Sequence, residues 1–189
     1  MSGSLTDAEK KLLLYLAREA MQSGVMGNKL PPLDSSLITS NLKEAGASFV
    51  TLTINGELRG CIGTLEAYQP LVDDVREHAI AAALNDPRFP SVNQNELSRI
   101  KLEVSRLTIP QHLEYSSPED LLQKLRPHVD GVILKDGYQR ATFLPQVWEQ
   151  IPDPVEFLEH LCQKMGARPD RWRNASLQVF VYQVEEFHE

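Results

Sequence analysis

The chain has 189 residues, of which 42% are hydrophobic and 24% are charged, and its formal net charge is −7. This length fits one domain, or two small lobes that share a core. The acidic balance argues against binding to nucleic-acid backbones or to anionic membrane surfaces, because both need clustered positive charge. No apolar run approaches the length of a membrane span, and no signal peptide is visible at the N-terminus.

The N-terminal part of the chain predicts a helix followed by a β-hairpin. Thr6 and Glu9 form a capping-box pattern, and leucines then recur at helical spacing. Residues 47–64 predict the hairpin, because residues 48–54 are rich in β-branched residues and Asn55-Gly56 is a strong signal for a hairpin turn.

The middle of the chain predicts a second helix, a strand and a short helix. The second helix begins at Pro70 and ends at Leu84, before the two prolines of residues 86–90. Apolar residues alternate along residues 100–108, which predicts a strand. Residues 118–125 then predict a short helix.

The C-terminal part predicts a second hairpin, a helix and a last strand. The hairpin covers residues 131–144, with Asp136-Gly137 at its turn. A helix is predicted from Asp153 to Gly166, and residues 177–184 predict the closing strand.

Helices and hairpins alternate without a regular strand–helix–strand repeat. We therefore predict an α+β fold with a mostly antiparallel sheet and flanking helices. Residues 1–189 form one predicted domain, and the proline and turn clusters near 86–95 and 109–118 are candidate boundaries between two lobes.

The chain has two cysteines, Cys61 and Cys162, which are too few for a disulfide framework or for a zinc site made of cysteines alone. Reduced thiols predict a cytoplasmic protein. Cys162 lies at helical spacing from Leu158 and Met165, so we expect it to pack in the core. Cys61, in contrast, lies between glycines in a predicted strand.

Cys61 lies in the segment 58–64, between Gly60 and Gly63. On a regular strand Arg59 and Cys61 share a face, about 7 Å apart at their Cα atoms. A nearby guanidinium favours the thiolate, which is the nucleophilic form of cysteine. The two glycines would clear room around the sulfur and leave N–H groups open to an anion. This pattern makes Cys61 a candidate nucleophile or redox thiol.

The same segment also allows a purely structural role. A strict two-residue loop places Cys61 opposite Val50, on an apolar face shared with Leu52 and Ile54. A bulge at either glycine would reverse that register and turn the sulfur to the other face.

Four other residues are candidate partners of the thiol. His78 is a possible base or a half-buried packing residue. Asp86 and Arg88 flank Pro87 in a stiff loop, which either stops a helix or presents a cation to a ligand. Glu103 shares a strand face with Ser105 and is expected to point into a cleft.

The common cofactor motifs are missing from the sequence. It has neither a glycine-rich dinucleotide motif nor a P-loop, and its dispersed histidines form no pair at a metal-binding spacing. The sequence therefore assigns no metal site, and any cofactor is unknown.

The segment 58–64 resembles the signature of the AMMECR domain family, whose prokaryotic members are called AmmeMemoRadiSam system protein A. The resemblance extends over about residues 5–187. It includes four further blocks in order, at residues 81–90, at 103–107, at 131–134 together with 143–148, and at 157–172.

The resemblance implies two unequal lobes with a cleft lined by the motif around Cys61. It carries over Arg59, Gly60, Cys61 and Gly63 as site residues, together with Asp86 and Arg88. It also implies a Memo-type protein and a radical-SAM protein as partners, but it supplies no reaction.

Three hypotheses remain open. The protein is a small-molecule enzyme that uses Cys61, with Arg59 and His78 assisting it and Gly60, Gly63, Asp86, Arg88 and Glu103 binding substrate. Alternatively, it is a non-catalytic partner of a Memo-type or radical-SAM protein, or the motif is only structural. We expect a monomer or a homodimer.

Overall fold

A computed structural model describes residues 4–174 and 177–189. The chain divides into two compact units, one made of the chain up to Thr108 with Glu185–Glu189, the other of Ile109–Val184. The division falls at the start of the cluster near 109–118, whereas residues 86–95 lie inside the first unit.

The first unit contains, within the described residues, three α-helices and five strands, with a 3-10 helix at Gln94–Glu96. In chain order they are α1 (Asp7–Val25), α2 (Ser40–Lys43), β1 (Ala45–Ile54), β2 (Glu57–Gly63), β3 (Gln69–Pro70), α3 (Leu71–Leu84), β4 (Ile100–Leu107) and β9 (Val184–His188). The predicted capping box begins α1, since the Thr6 side chain accepts from Glu9 N–H and the Glu9 carboxylate accepts from Thr6 N–H. The positive φ angles of Asn55 and Gly56, 54° and 84°, form the predicted hairpin turn.

The strands of the first unit form one sheet in the order β2-β1-β4-β9, with β3 also paired to β1. Strand β1 is antiparallel to β2, β3 and β4. Val50 and Leu52 belong to the same core as Ala17 and Val75 of the helices, so α1 and α3 cover one face. Phe49 and Thr51 alternate with these core residues and lie on the opposite face.

A β-bulge interrupts the β1–β2 hairpin. The register passes from Thr53 opposite Leu58 to Leu52 opposite Gly60, which leaves Arg59 as the extra residue. From this point toward the end of β2, every side chain lies on the face opposite to the one that a strict two-residue loop requires.

The second unit contains, over the part of it that is described, two α-helices and four strands, with 3-10 helices at Pro145–Glu149 and Pro169–Arg173. They are β5 (Gln111–His112), α4 (Pro118–Lys124), β6 (Gly131–Asp136), β7 (Gln139–Phe143), α5 (Pro154–Lys164) and β8 (Gln178–Tyr182). The strands form an antiparallel sheet in the order β5-β8-β6-β7. The rings of Trp148 and Phe157 stack at 3.6 Å in its core.

The predicted α+β fold with antiparallel sheet is confirmed. One element differs, because the predicted strand 177–184 ends as β8 at Tyr182, and a separate strand, β9, continues into the first unit's sheet. Over residues 4–174 and 177–189, no helix is both long enough and apolar enough to cross a membrane.

Candidate functional site

Cys61 lies on the face of the first sheet that α1 and α3 do not cover. Its partner on β1 is Thr51, not Val50, because the bulge shifts the register by one residue. Of the two registers that the sequence left open, the structure has the bulged one, in which Cys61 does not share the apolar core face. The side chain is half-buried, and the Thr51 hydroxyl donates to Sγ at 3.2 Å. The sulfur thus has a polar neighbour and partial access to solvent.

The Asp-Pro-Arg loop holds the main chain of Cys61 at the outer edge of β2. Asp86 Oδ2 accepts the Cys61 N–H at 2.8 Å, and Arg88 Nη2 donates to the Cys61 carbonyl oxygen at 3.2 Å. Both outward-facing main-chain groups of Cys61 are satisfied in this way, as a neighbouring strand would satisfy them. The loop therefore fixes the position of the residue that carries the thiol.

Asp86 and Arg88 also bind each other through two side-chain hydrogen bonds. Arg88 Nε lies 3.0 Å from Asp86 Oδ1, and Nη2 lies 2.7 Å from Oδ2. The hydrogen bond from Arg88 holds the pKa of Asp86 well below its usual range, against the effect of desolvation. The pKa of Arg88 is raised, mainly by Asp86 and more weakly by the nearby Cys61 thiol. The sequence left open a helix stop or a presented cation, and the structure adds that the pair supports the edge of a strand.

Arg59 is not the arginine that contacts the thiol residue. It is the extra residue of the bulge, and its guanidinium binds Glu96 through Nε at 2.7 Å and Nη2 at 3.2 Å. The expectation that Arg59 flanks Cys61 on a regular strand is wrong, because the bulge breaks the alternation. Arg88, from a loop 27 positions further along, takes that place.

Gly60 and Gly63 are needed for packing inside the protein. A β-carbon at Gly60 would collide with the carbonyl oxygen of Ala82, so the glycine lets α3 lie directly on β2. A β-carbon at Gly63 would collide with the Phe49 ring and the Ser48 carbonyl oxygen. The room that we expected these glycines to leave around the sulfur is filled by the protein itself.

Glu103 lies in line with Cys61 across three strands. Thr51 is the direct partner of Cys61 on one side and of Glu103 on the other. Burial raises the pKa of the Glu103 carboxyl, Glu186 adds to this effect, and His188 opposes it. Two chemically active side chains thus share one face of the sheet, with a hydroxyl between them.

His78 belongs to a different cluster. It is buried on α3, and its Nδ1 lies 3.2 Å from Asp74 Oδ2, which also accepts the Ser48 hydroxyl at 2.6 Å. The expected pairing of His78 with Cys61 does not occur among the contacts of the described residues. Ser48 lies on the helix-covered face of β1, the opposite face from Thr51, since their burial alternates.

Cys162 is a core residue of the second unit. Cys162 is fully buried in α5, as expected, and its burial raises the pKa of its thiol. Within the described ranges, no group of three or more His, Cys, Asp or Glu side chains is placed to hold a metal ion.

Three residues near the candidate site were not predicted from the sequence. Thr51 faces the sulfur, Glu96 binds Arg59, and the ring of Phe89 lies 6.0 Å from the Arg59 guanidinium and 5.6 Å from that of Arg88. Their side chains reach the site only through the hairpin register and the loop after α3. Of these three, only Phe89 lies in a segment that the sequence pointed to, residues 86–89, because the proline makes that loop stiff.

Comparisons with known proteins agree over nearly the whole chain. A profile of the AMMECR1 family matches residues 14–187. A protein of Methanothermobacter thermautotrophicus is 41% identical over 186 residues, covering 98% of this chain and 96% of its own. A Methanopyrus kandleri protein is 39% identical over 197 residues, covering 100% of this chain and 92% of its own.

A solved structure gives the same result at the level of the fold. The crystal structure of an uncharacterised protein from Pyrococcus horikoshii superposes with a TM-score of 0.76 and 34% identity, covering 95% of this chain and 91% of that one. Profile, sequence and structure therefore point to one family. The chain belongs to the AMMECR1 family.

Proposed function

We propose that this protein is a thiol-dependent component of a cytoplasmic small-molecule enzyme system, with the Cys61 sulfur as the reacting nucleophile. One observation carries the proposal. The half-buried Sγ accepts a hydrogen bond from the Thr51 hydroxyl at 3.2 Å, on a residue whose main chain is held by Asp86 and Arg88. A purely structural cysteine needs neither partial exposure nor a hydroxyl donor.

The chemistry begins with loss of the thiol proton to water. The Thr51 hydroxyl donates to the sulfur, and the Arg88 guanidinium binds the carbonyl oxygen of the same residue; a hydrogen-bond donor and a cation are the groups that suit a reacting thiolate. The thiolate then attacks an electrophilic atom of the substrate, forming a bond to sulfur as the leaving group departs with the electron pair of the broken bond. Glu103 lies on the same face, where its raised pKa suits a proton donor.

Alkylation of the native protein with iodoacetamide, mapped by mass spectrometry, tests this proposal. Cys61 is expected to react in the folded protein, while the fully buried Cys162 reacts only after denaturation and so serves as an internal control. Thr51→Val is expected to slow the reaction of Cys61, because the hydroxyl donor is lost. A Cys61 that is inert until the protein unfolds would refute the proposal.

A second candidate function is that of a non-catalytic partner of a Memo-type or radical-SAM protein. The observation in its favour is that His78 is bound to Asp74, so that among the described contacts of Cys61 Sγ there is no imidazole or carboxylate. Cys61→Ser distinguishes the two functions. Binding to a purified partner that persists with unchanged activity of the system supports the second function, and lost activity with retained binding supports the first.

A further inference from the structure

We infer that the substrate of Cys61 carries an oxyanion, a carboxylate or a phosphate, that binds to the free edge of the Arg88 guanidinium. The inference rests on the proposed function and names its substrate class. It depends on three observations, namely the orientation of the Asp86–Arg88 pair, the hydrogen bonds that Arg88 still has to offer, and its attachment to Cys61.

The Asp86–Arg88 pair presents its positive end to solvent. The Asp86 side chain is 2% exposed, whereas the Arg88 side chain is 54% exposed. A solute that approaches this part of the molecule therefore meets the guanidinium first, with the compensating carboxylate buried behind it. A local cationic group of this kind attracts anions even though the chain as a whole is acidic.

Arg88 is held rigidly and still has donors to spare. Its Nε and Nη2 bind Asp86, and Nη2 also binds the Cys61 carbonyl oxygen. In the described part of the chain, Nη1 donates to no oxygen. A guanidinium already fixed by its other nitrogens loses little side-chain freedom when an oxyanion binds to the remaining edge.

Arg59 shows why the neighbouring arginine does not serve as well. It uses the same two nitrogens, Nε and Nη2, to bind Glu96, but its side chain is 14% exposed and that of Glu96 is 19% exposed. The Arg59 guanidinium and the Glu96 carboxylate are therefore about equally exposed, so this pair does not present mainly positive charge to solvent. Both guanidinium groups flank the Phe89 ring, but Arg88 is the exposed one.

Arg88 is tied to the residue that carries the sulfur. Its hydrogen bond to the Cys61 carbonyl oxygen is 3.2 Å long, and the nearby Cys61 adds to the raised pKa of Arg88 after the larger effect of Asp86. An oxyanion bound at Nη1 would bring the adjacent part of its molecule toward Sγ. The ring of Phe89, 5.6 Å from the guanidinium, offers an apolar wall for the rest of the ligand.

Two alkylating agents that differ in charge test the inference. Iodoacetate carries a carboxylate and iodoacetamide is neutral, and with both the sulfur bonds to the methylene carbon as the carbon–iodine bond breaks and iodide leaves. We compare the ratio of their rates at Cys61 in the folded protein with the same ratio in the denatured protein. The inference predicts a ratio about fivefold higher in the folded protein, as expected for one unit charge about 4 Å away that is screened as in bulk water.

Arg88→Gln is expected to return this ratio to the value in the denatured protein. Arg59→Gln removes the same charge from the buried pair and is expected to leave the ratio within about twofold of the wild type. The ratio is measured within one protein, so a variant that merely exposes the thiol speeds both reactions together. Circular dichroism checks that each variant is folded.

The outcomes separate failure of this inference from failure of the proposed function. A Cys61 that reacts with neither reagent in the folded protein overturns the proposed function. A Cys61 that reacts with both, at the ratio of the denatured protein, overturns only the inference about the oxyanion. A ratio that falls equally in both arginine variants would also overturn the inference, because it would show a general effect of charge.

Discussion

Asp86 accepts the main-chain N–H of Cys61 at 2.8 Å, although the two residues are 25 positions apart. Strand β2 lies at the edge of its sheet, and this carboxylate takes the place of a neighbouring strand at one residue. The loop after α3 therefore supports the strand that carries the candidate nucleophile.

Removing the carboxylate should destabilise the first unit. Asp86→Ala leaves the Cys61 N–H without its partner and is expected to lower the free energy of unfolding by about 2 kcal/mol, the cost of losing a charged hydrogen bond to a buried group. Urea denaturation measures this change. Glu57→Ala removes an exposed carboxylate from the same strand and should have little effect. Equal losses in the two variants would show that Asp86 does not support the strand.

The contribution of Asp86 should also depend on pH. Its pKa is lower in the folded protein than in the unfolded chain, so its stabilising effect is present above the unfolded value, about 4, and is lost as the pH falls toward the folded value. The difference in stability between wild type and Asp86→Ala should therefore shrink on acidification below about pH 4. Denaturation series at several pH values measure it. A constant difference would contradict this sign.

The close contact between α3 and β2 should tolerate no side chain at position 60. In Gly60→Ala the new methyl group would collide with the Ala82 carbonyl oxygen, a main-chain atom that cannot move without displacing the helix. We expect a loss of about 3 kcal/mol or more, or failure to fold. Gly24→Ala is the matched control, since its β-carbon would meet only the Ile80 side chain, at 3.0 Å. A mild effect at position 60 would refute the contact.

The stability of the Glu103→Gln variant relative to the wild type should increase as the pH rises. The folded protein binds the Glu103 proton more tightly than the unfolded chain does, because burial raises the pKa of this carboxyl. Ionisation at higher pH therefore costs the wild type stability that the glutamine variant keeps. Thermal unfolding of both proteins between about pH 4 and pH 7 measures the difference. If the stability of the variant relative to the wild type fell as the pH rose, the raised pKa of Glu103 would be contradicted.

His78→Ala should weaken the fold without changing the thiol. The substitution removes one of the two partners of Asp74 in a buried cluster, and we expect the protein to lose about 2 kcal/mol of stability. The iodoacetamide reaction of Cys61 in the folded protein should keep its rate and pH profile, because His78 contacts Asp74 and not the sulfur. A shifted profile would instead identify His78 as the base that acts on Cys61.

The sequence by itself determined the elements of this protein and which segment holds the candidate site. Capping residues, the Asn-Gly turn and the apolar periodicities act over a few neighbouring positions, so they predicted α1, the first hairpin and the α+β class. The same local patterns placed Cys162 in the core of α5. Each of these features depends on short-range physical chemistry that a sequence displays directly.

Only the tertiary structure decided which way Cys61 points and which arginine accompanies it. A bulge of one residue at Arg59 reverses every later side chain of β2, and the glycines of the motif allowed such a bulge without deciding whether it forms. The contacts that accompany the bulge are made with distant groups. These are Glu96 on the Arg59 guanidinium, the Ala82 carbonyl oxygen against Gly60, and Asp86 at the Cys61 N–H. Such contacts form only when the chain has folded, which is why the sequence could name Cys61, Asp86 and Arg88 as candidates but not the way they bind one another.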